Sequence, residues 1–151
     1  MSLLSVGPLL IARLKDRCPS VKGRVLSSGD LAGVKEVAQV APALHVLLQG
    51  YTPLETLPGG DVRWAETWNV VAVVKHAARQ GRAGSQAEAA EPILREVMAA
   101  LSGWHPGYPA ANGPLKAVSG FFPGFSAGYA YFPLAFLAQV VTEGAGRGEK
   151  Q

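Results

Sequence analysis

Hydrophobic residues recur at helical spacing in two stretches of the chain, and these stretches predict the two main helices. The first runs from Ser5 to Cys18, with an apolar residue at every fourth position, and Pro19 ends it. The second opens at Ser85, where a Ser-x-x-Glu sequence matches a capping box. Its apolar stripe consists of Ala90, Leu94, Val97, Leu101 and Trp104.

Two other stretches predict long strands. The segment Val62–Lys75 alternates between polar and apolar residues in its first half, which indicates one solvated face. Residues Val70–Val74 are apolar at every position, so this part should be covered on both faces. The second long strand is Tyr129–Val141. Because Pro133 has no N–H to donate, this strand should be an edge or carry a bulge at that point.

Weaker patterns supply the remaining elements. Ala43–Gln49 is a short apolar run that favours a strand buried on both faces over a buried helical turn. Lys22–Leu26 and Leu115–Gly120 are short candidate strands, and Asp30 is expected to cap a helical turn or two that ends by Val37.

Segments rich in proline and glycine predict the connections. Tyr51–Asp61 should form a protruding hairpin connection, and Phe121–Gly128 should form a connection rich in glycine and aromatic residues. The resulting order of elements predicts an α+β fold: a mostly antiparallel sheet of four to five strands with two main helices packed on it. Residues 1–143 are expected to form one domain, followed by a flexible tail over residues 144–151.

The composition favours a protein that assembles with others. Hydrophobic residues make up 48% of the 151 residues and charged residues 17%. Between Glu96 and Glu143, Lys116 is the single formal charge apart from His105. A chain of this size cannot leave so much uncharged, aromatic surface in water. Part of it must therefore be core, and the rest is expected to meet another protein.

The charge distribution and the cysteine count limit the other function classes. A net charge of +3 is too small to indicate nucleic-acid binding. Two loose basic groups suit a solvated face or, less often, a surface that faces phosphate or an acidic partner. They are Lys15, Arg17, Lys22 and Arg24, then Lys75, His76, Arg79 and Arg82. One cysteine, Cys18, excludes an internal disulfide. The apolar segment Tyr129–Val141 is shorter than the roughly 20 residues of a membrane-spanning helix, so no membrane partner is expected.

Motifs for catalysis or cofactor binding are weak. The three histidines have no metal-ligand spacing, there is no cysteine cluster, and no phosphate-binding glycine loop occurs. Gly124–Gly128 matches the G-x-S-x-G elbow, but no helix is predicted after Ser126 and no histidine follows it. We therefore expect no catalytic, cofactor or metal site. The alternative that stays open is a small-ligand-binding domain or a hydrolase that uses His45 or Ser126.

The order of several segments resembles a known family. These segments are the strand Trp68–Val74, the sequence Leu-Ser-Gly-Trp-His-Pro at Leu101–Pro106, the pair Pro114–Leu115 and the aromatic strand Tyr129–Phe136. Together they resemble the tail-terminator proteins of long-tailed bacteriophages, in the version carried by Mu-like phages and prophages. The resemblance extends from about Leu9 to Val141.

The resemblance implies a structural role without catalysis or cofactors. Such proteins form a ring, typically of six subunits, that caps the tail tube and stops its polymerisation. The ring then offers a surface to the connector proteins of the head and neck, and DNA passes through its lumen without specific binding. The expected location is the virion tail, assembled in the cytoplasm of the bacterial host. A head–tail joining (neck) protein is the alternative within the same structural class.

The resemblance also implies where contacts should lie. A ring needs head-to-tail contacts that close by rotation, and edge strands and aromatic loops can supply them. The candidate interface residues are Phe121, Phe122, Phe125, Tyr129, Tyr131, Trp104, Leu54 and Leu57. For Trp104 a place in the domain core is the preferred alternative. The candidate residues facing the lumen or a partner are Lys75, Arg79 and Arg82, with at most weak attraction for DNA.

Overall fold

The computed structural model describes residues 3–32, 39–75 and 85–148. Its helices are α1 (Val6–Arg17), α2 (Ser28–Leu31), α3 (Ser85–Leu101) and α4 (Ala145–Gly148). Its strands are β1 (Val25–Ser27), β2 (Ala43–Thr56), β3 (Val62–Lys75), β4 (Lys116–Val118), β5 (Gly124–Ser126) and β6 (Tyr129–Thr142). Short 3-10 turns occur at Pro19–Val21 and Pro58–Gly60.

The strands form one six-stranded sheet in the order β1-β2-β3-β6-β4, and β5 also pairs with β6. Strands β1 and β2 are parallel, and the other pairs are antiparallel. Strand β3 is central, since it pairs with β2 from Val62 to Val73 on one side and with β6 along its whole length on the other. The α+β class and the mostly antiparallel sheet are therefore confirmed, with six strands in place of the four to five predicted.

The hydrophobic core lies between one face of the sheet and the two long helices. Alternate residues of β3 and β6 point to this helix face, and they meet the apolar stripes of α1 and α3. The fully buried members include Leu10, Leu14, Val70, Val97 and Phe136. Burial of these side chains is the main stabilising contribution to the fold.

The opposite face of the sheet is also covered over much of its length. Ala43, Asn69, Val73 and Ala135 point to this face and are buried. The chain at Gly120 passes directly over it, because a Cβ built on Gly120 would lie 2.9 Å from the Cβ of Ala135. The prediction that Val70–Val74 is covered on both faces is confirmed, with Val71 the most accessible member on the opposite face.

Strand β2 is longer than the sequence indicated. The segment Tyr51–Asp61 does not form a protruding connection, because β2 continues through it to Thr56. It stays paired with β3, with register shifts between Leu48 and Gly50 and between Pro53 and Glu55. The turn is confined to Leu57–Asp61, where the N–H of Leu57 donates to the carbonyl of Asp61. Gly59 and Gly60 supply the positive φ angles that this turn needs.

Strand β6 is not a simple edge, contrary to the prediction. It pairs with β3 throughout, while β4 and β5 pair with its other side at residues 135–137 and 129–131. The gap between these two short strands falls at residues 132–134. Pro133 therefore lies where β6 has a strand on only one side, and its register with β3 continues without a bulge.

The short elements also differ from the predictions. The strand expected at Lys22–Leu26 is β1, and the Phe121–Gly128 connection contains β5. Strand β5 joins β6 through Ala127 and Gly128, which both have positive φ, as a two-residue hairpin turn requires. The helical turn expected from Asp30 begins earlier, at Ser28, and its predicted continuation over residues 33–37 lies outside the described residues.

Candidate functional site

Three exposed aromatic side chains lie close together on the loop beside β4 and β5. Phe121, Phe122 and Phe125 are 63%, 92% and 59% exposed. We call Ser119–Phe125 the aromatic segment. The ring of Phe125 makes an edge-to-face contact with Phe132 at 6.5 Å. The segment carries no charge, so it is a surface that another protein could bury at little electrostatic cost.

The other aromatic candidates are less accessible. Tyr129 is buried, and its hydroxyl donates to the carbonyl of Gln39 at 2.8 Å. Tyr131 is half-buried and accepts from the Nε2 of Gln39 at 2.7 Å. Trp104 is also half-buried: it packs on the core, and the guanidinium of Arg13 lies 5.0 Å from its ring centre. These three side chains make contacts within the domain.

Leu54 and Leu57 lie at the far end of the β2–β3 hairpin. Leu54 is exposed on β2, and Leu57 is half-buried in the turn. The turn is held by the end of β6, because the N–H of Gly144 donates to Asp61 Oδ1 at 2.9 Å. A Cβ on Gly144 would overlap the backbone of Gly60, so these two segments of the chain are in direct contact. The start of the tail, Ala145–Gly148, packs against the same turn.

One functional feature that the sequence did not reveal is a free sheet edge. Strand β1 pairs only with Leu44–Val46 of β2. Within residues 3–32, 39–75 and 85–148, no strand pairs with the outer side of β2 beyond Val46. We call Leu47–Thr56 the open edge. Half of its backbone N–H and C=O groups point away from β3, which makes it a template for another strand.

The open edge exists because β1 is short. Ser27 ends β1 and caps α2: its hydroxyl accepts from the N–H of Asp30, and the Asp30 carboxylate accepts from the N–H of Ser27. The hydrogen bonds that the Ser27 N–H and the Ser27 hydroxyl donate to the Asp30 carboxylate lower the pKa of Asp30 below its ordinary value. The capping box thus turns the chain away from β2 after three residues of pairing.

A cavity opens beside this edge on the helix face. It has a volume of about 320 Å³ and is lined by Leu4, Gly7, Pro8, Ile11, Ser27, Ser28, Val46, Leu48 and Trp68. The lining is mostly apolar. Gly7 allows α1 to approach the Trp68 ring, since a Cβ there would lie 2.8 Å from it. The cavity therefore lies where β1 ends and the open edge begins.

Glu66 anchors the N-terminal segment near this cavity. Its side chain is fully buried. Its Oε2 accepts from the N–H of Leu4 at 2.6 Å, and its Oε1 accepts from the indole N–H of Trp68 at 3.0 Å. Both carboxylate oxygens thus satisfy donors that would otherwise be buried without a partner.

The basic and catalytic candidates do not converge on one site. Lys75 is exposed at the end of β3, and Arg79 and Arg82 lie outside the described residues. His45 is buried on β2, and burial lowers its pKa below the ordinary value. Ser126 enters a hairpin turn, not the helix that a nucleophile elbow needs. No group of three or more metal-ligating side chains occurs among the described residues.

Comparison with known proteins decides the family. The phage tail terminator protein family matches residues 1–146 of this chain. The chain belongs to this family. The match extends over almost the whole sequence, and it gives the protein a structural role in the tail of a bacteriophage. No curated protein matches the chain. None of the helices in the described part is long and apolar enough to span a membrane.

Proposed function

We propose that copies of this tail terminator form a closed ring of six that caps the tail tube, stops its polymerisation and then binds the connector proteins of the head and neck. The observation that carries the proposal is the family match over residues 1–146. Ring formation requires surfaces that can be buried without a large desolvation cost. The aromatic segment and the open edge have this character, because both are apolar or uncharged over most of their length.

The hairpin end of the sheet supports contact with a further partner. From Tyr51 to Thr56 every side chain of β2 is exposed, although the strand itself is fixed by pairing with β3. Contacts on such a pre-formed surface lose little conformational freedom on binding. We infer that this end of the subunit meets the tube protein.

The opposite end of the sheet suits a weak electrostatic role. Lys75 is exposed there, opposite Tyr129 in the β3–β6 register. A lysine in this position, facing the lumen, attracts DNA phosphates only weakly and in a salt-dependent way. Weak attraction is consistent with passage of DNA, whereas tight binding would impede it.

The test of tube capping uses purified tube protein that polymerises on its own. Adding the terminator to growing tubes should stop elongation, so that electron microscopy shows shorter tubes with a ring at one end. Native mass spectrometry of the bound ring should give its subunit number. A neck protein would leave tube length unchanged, and so would a chain that does not recognise the tube. That outcome would contradict the proposal.

The same assay separates the terminator from a ligand-binding or hydrolytic protein. His45→Ala and Ser126→Ala should both leave tube termination intact, because Ser126 ends β5 directly before a hairpin turn and His45 is buried. If either substitution abolished termination in a folded protein, the residue would have a role that the proposed function does not include.

A further inference from the structure

We propose that the seam of the ring is a strand addition: the aromatic segment of one copy pairs with the open edge of the next copy and inserts Phe122 into the cavity beside it. This inference rests on the proposed ring and names the surfaces that build it. It concerns two regions of the same chain that lie at opposite edges of one sheet, at β2 and at β4.

The open edge has the hydrogen-bonding capacity for an added strand. Beyond Val46, the outward N–H and C=O groups of β2 meet no strand within the part of the chain that the structure describes. Exposed edges of natural sheets usually carry lysines or other charges that prevent pairing. Here the chain from Val40 to Leu54 has no formal charge apart from His45, which is buried. Pro53 cannot donate a hydrogen bond to an added strand, and the β2–β3 pairing shifts register between Leu48 and Gly50. Pairing is therefore available at Leu47, Leu48 and Gly50–Thr52.

The cavity adds side-chain specificity to this edge. A strand that pairs with β2 directs every second side chain toward the helix face, where Leu48 and Trp68 line the cavity. Its volume of about 320 Å³ and its apolar lining suit one aromatic ring. Backbone hydrogen bonds together with a pocket for an alternate side chain are how extended segments are recognised at sheet edges.

The aromatic segment supplies a matching occupant. Phe122 is 92% exposed, so it is available without rearrangement of the core. Residues 119–123 have no helix or strand of their own, which leaves their backbone able to pair. The segment is also uncharged, so it meets the uncharged open edge without repulsion.

The occupant is a second copy of the chain, because the segment cannot reach its own edge. The strands on either side of the segment, β4 and β5, both pair with β6. Strands β3 and β6 separate β4 from β2 by about 14 Å at the usual strand spacing. The five residues between β4 and β5 are too few to cross this distance and return. Each copy therefore gives one segment and receives another. Such a contact is head-to-tail, and head-to-tail contacts form closed rings when the rotation between copies closes.

The first test is a complementation experiment with full-length variants. Phe122→Ser removes the inserted side chain, and Leu48→Lys places an ammonium group at the mouth of the cavity. Tyr51→Lys, a charge on the exposed edge, serves if Leu48→Lys does not fold. Each variant alone should need at least about tenfold more protein than the parent for half-assembly, measured by light scattering. Tyr108→Ser, an exposed aromatic in the loop between α3 and β4, is the matched control and should assemble as the parent does.

Mixing the variants distinguishes a head-to-tail seam from a symmetric one. The intact segment of Leu48→Lys can enter the intact edge of Phe122→Ser, so the mixture should form heterodimers and no rings. A mixture that stays monomeric, or single variants that assemble like the parent, would overturn the proposal.

Hydrogen exchange tests the backbone pairing directly. On assembly of the parent, amide exchange in Leu47–Thr52 should slow by at least about tenfold, and it should stay fast in Phe122→Ser. If these amides become protected only when tube protein is added, the occupant is the tube and the seam is elsewhere. If Phe122→Ser still forms rings that terminate tubes, the seam proposal fails while the proposed function stands. A parent that neither assembles nor stops tube growth refutes both.

Discussion

The two halves of the long hairpin are stabilised in different ways. The first half consists of residues 43–48 of β2 and 67–75 of β3. One face of this half packs on α1 and α3, and most side chains on the opposite face are also buried or half-buried. We call this the covered half. In the second half, residues 50–56 and 62–66, the helices no longer cover β2, and every side chain from Tyr51 to Thr56 is exposed. We call this the hairpin half.

Local contacts replace a core in the hairpin half. Tyr51 and Trp64 meet edge to face at 5.8 Å, and the indole N–H of Trp64 donates to Thr142 Oγ1 at 2.9 Å. Arg63 and Glu55 form a cross-strand ion pair at 2.7 Å. Such contacts fix geometry but contribute little free energy each. The comparison indicates that the covered half determines stability, while the hairpin half presents a rigid surface for assembly.

The largest expected effect is in the covered half. Phe136 is fully buried on the helix face, in register with Trp68. Phe136→Ala should lower the free energy of unfolding by about 3–5 kcal/mol, because it removes buried apolar surface and leaves a cavity. Tyr51→Ala in the hairpin half should cost only about 1 kcal/mol. Urea unfolding measures both, and equal losses would contradict the comparison.

Glu66 lies at the boundary of the two halves and should give the next largest effect. Glu66→Ala leaves the N–H of Leu4 and the indole N–H of Trp68 buried without an acceptor, so it should cost about 2–4 kcal/mol. Glu66→Gln keeps one acceptor oxygen and should cost less. Urea unfolding again gives the values. If the alanine variant were as stable as the parent, the carboxylate would not anchor the N-terminal segment.

His45 gives a smaller effect that depends on pH. Burial lowers its pKa in the folded protein below the ordinary value of 6.5, so the unfolded chain binds a proton more readily than the folded one. Stability is therefore complete above about pH 6.5 and falls as the pH drops toward the folded pKa. His45→Leu should reduce this slope between about pH 7 and 5. His105→Gln, which removes an exposed histidine, is the control and should keep the dependence of stability on pH that the parent shows.

Elements with a strong local pattern could be predicted from the sequence. The bounds of β3 agree with the predicted Val62–Lys75, and α1 and β6 agree within one residue at each end. In these segments the burial of one face, or of both, imposes a regular spacing of apolar residues. The exposure of Phe121, Phe122 and Phe125 also agrees with their position among glycines.

The open edge could not be predicted in the same way. Beyond Gly50, β2 has little burial to impose an alternating pattern, and Gly50 and Pro53 are typical of loops. Its strand conformation comes from pairing with β3, which is a non-local contact. The free outer side depends further on the strand order and on the capping box that ends β1 at Ser27. The burial of Glu66 likewise follows from the position of Leu4, which is distant in sequence.

The ion pair of the hairpin half should contribute the least to stability. The side chains of Arg63 and Glu55 are each more than one-third exposed. A double-mutant cycle with Glu55→Gln and Arg63→Gln should give a coupling free energy below about 1 kcal/mol, because water and salt screen exposed charges. The coupling should shrink further in about 1 M salt. A coupling of several kcal/mol would mean that polar contacts stabilise the hairpin half as strongly as burial stabilises the covered half, and the distinction between a stabilising half and an assembling half would fail.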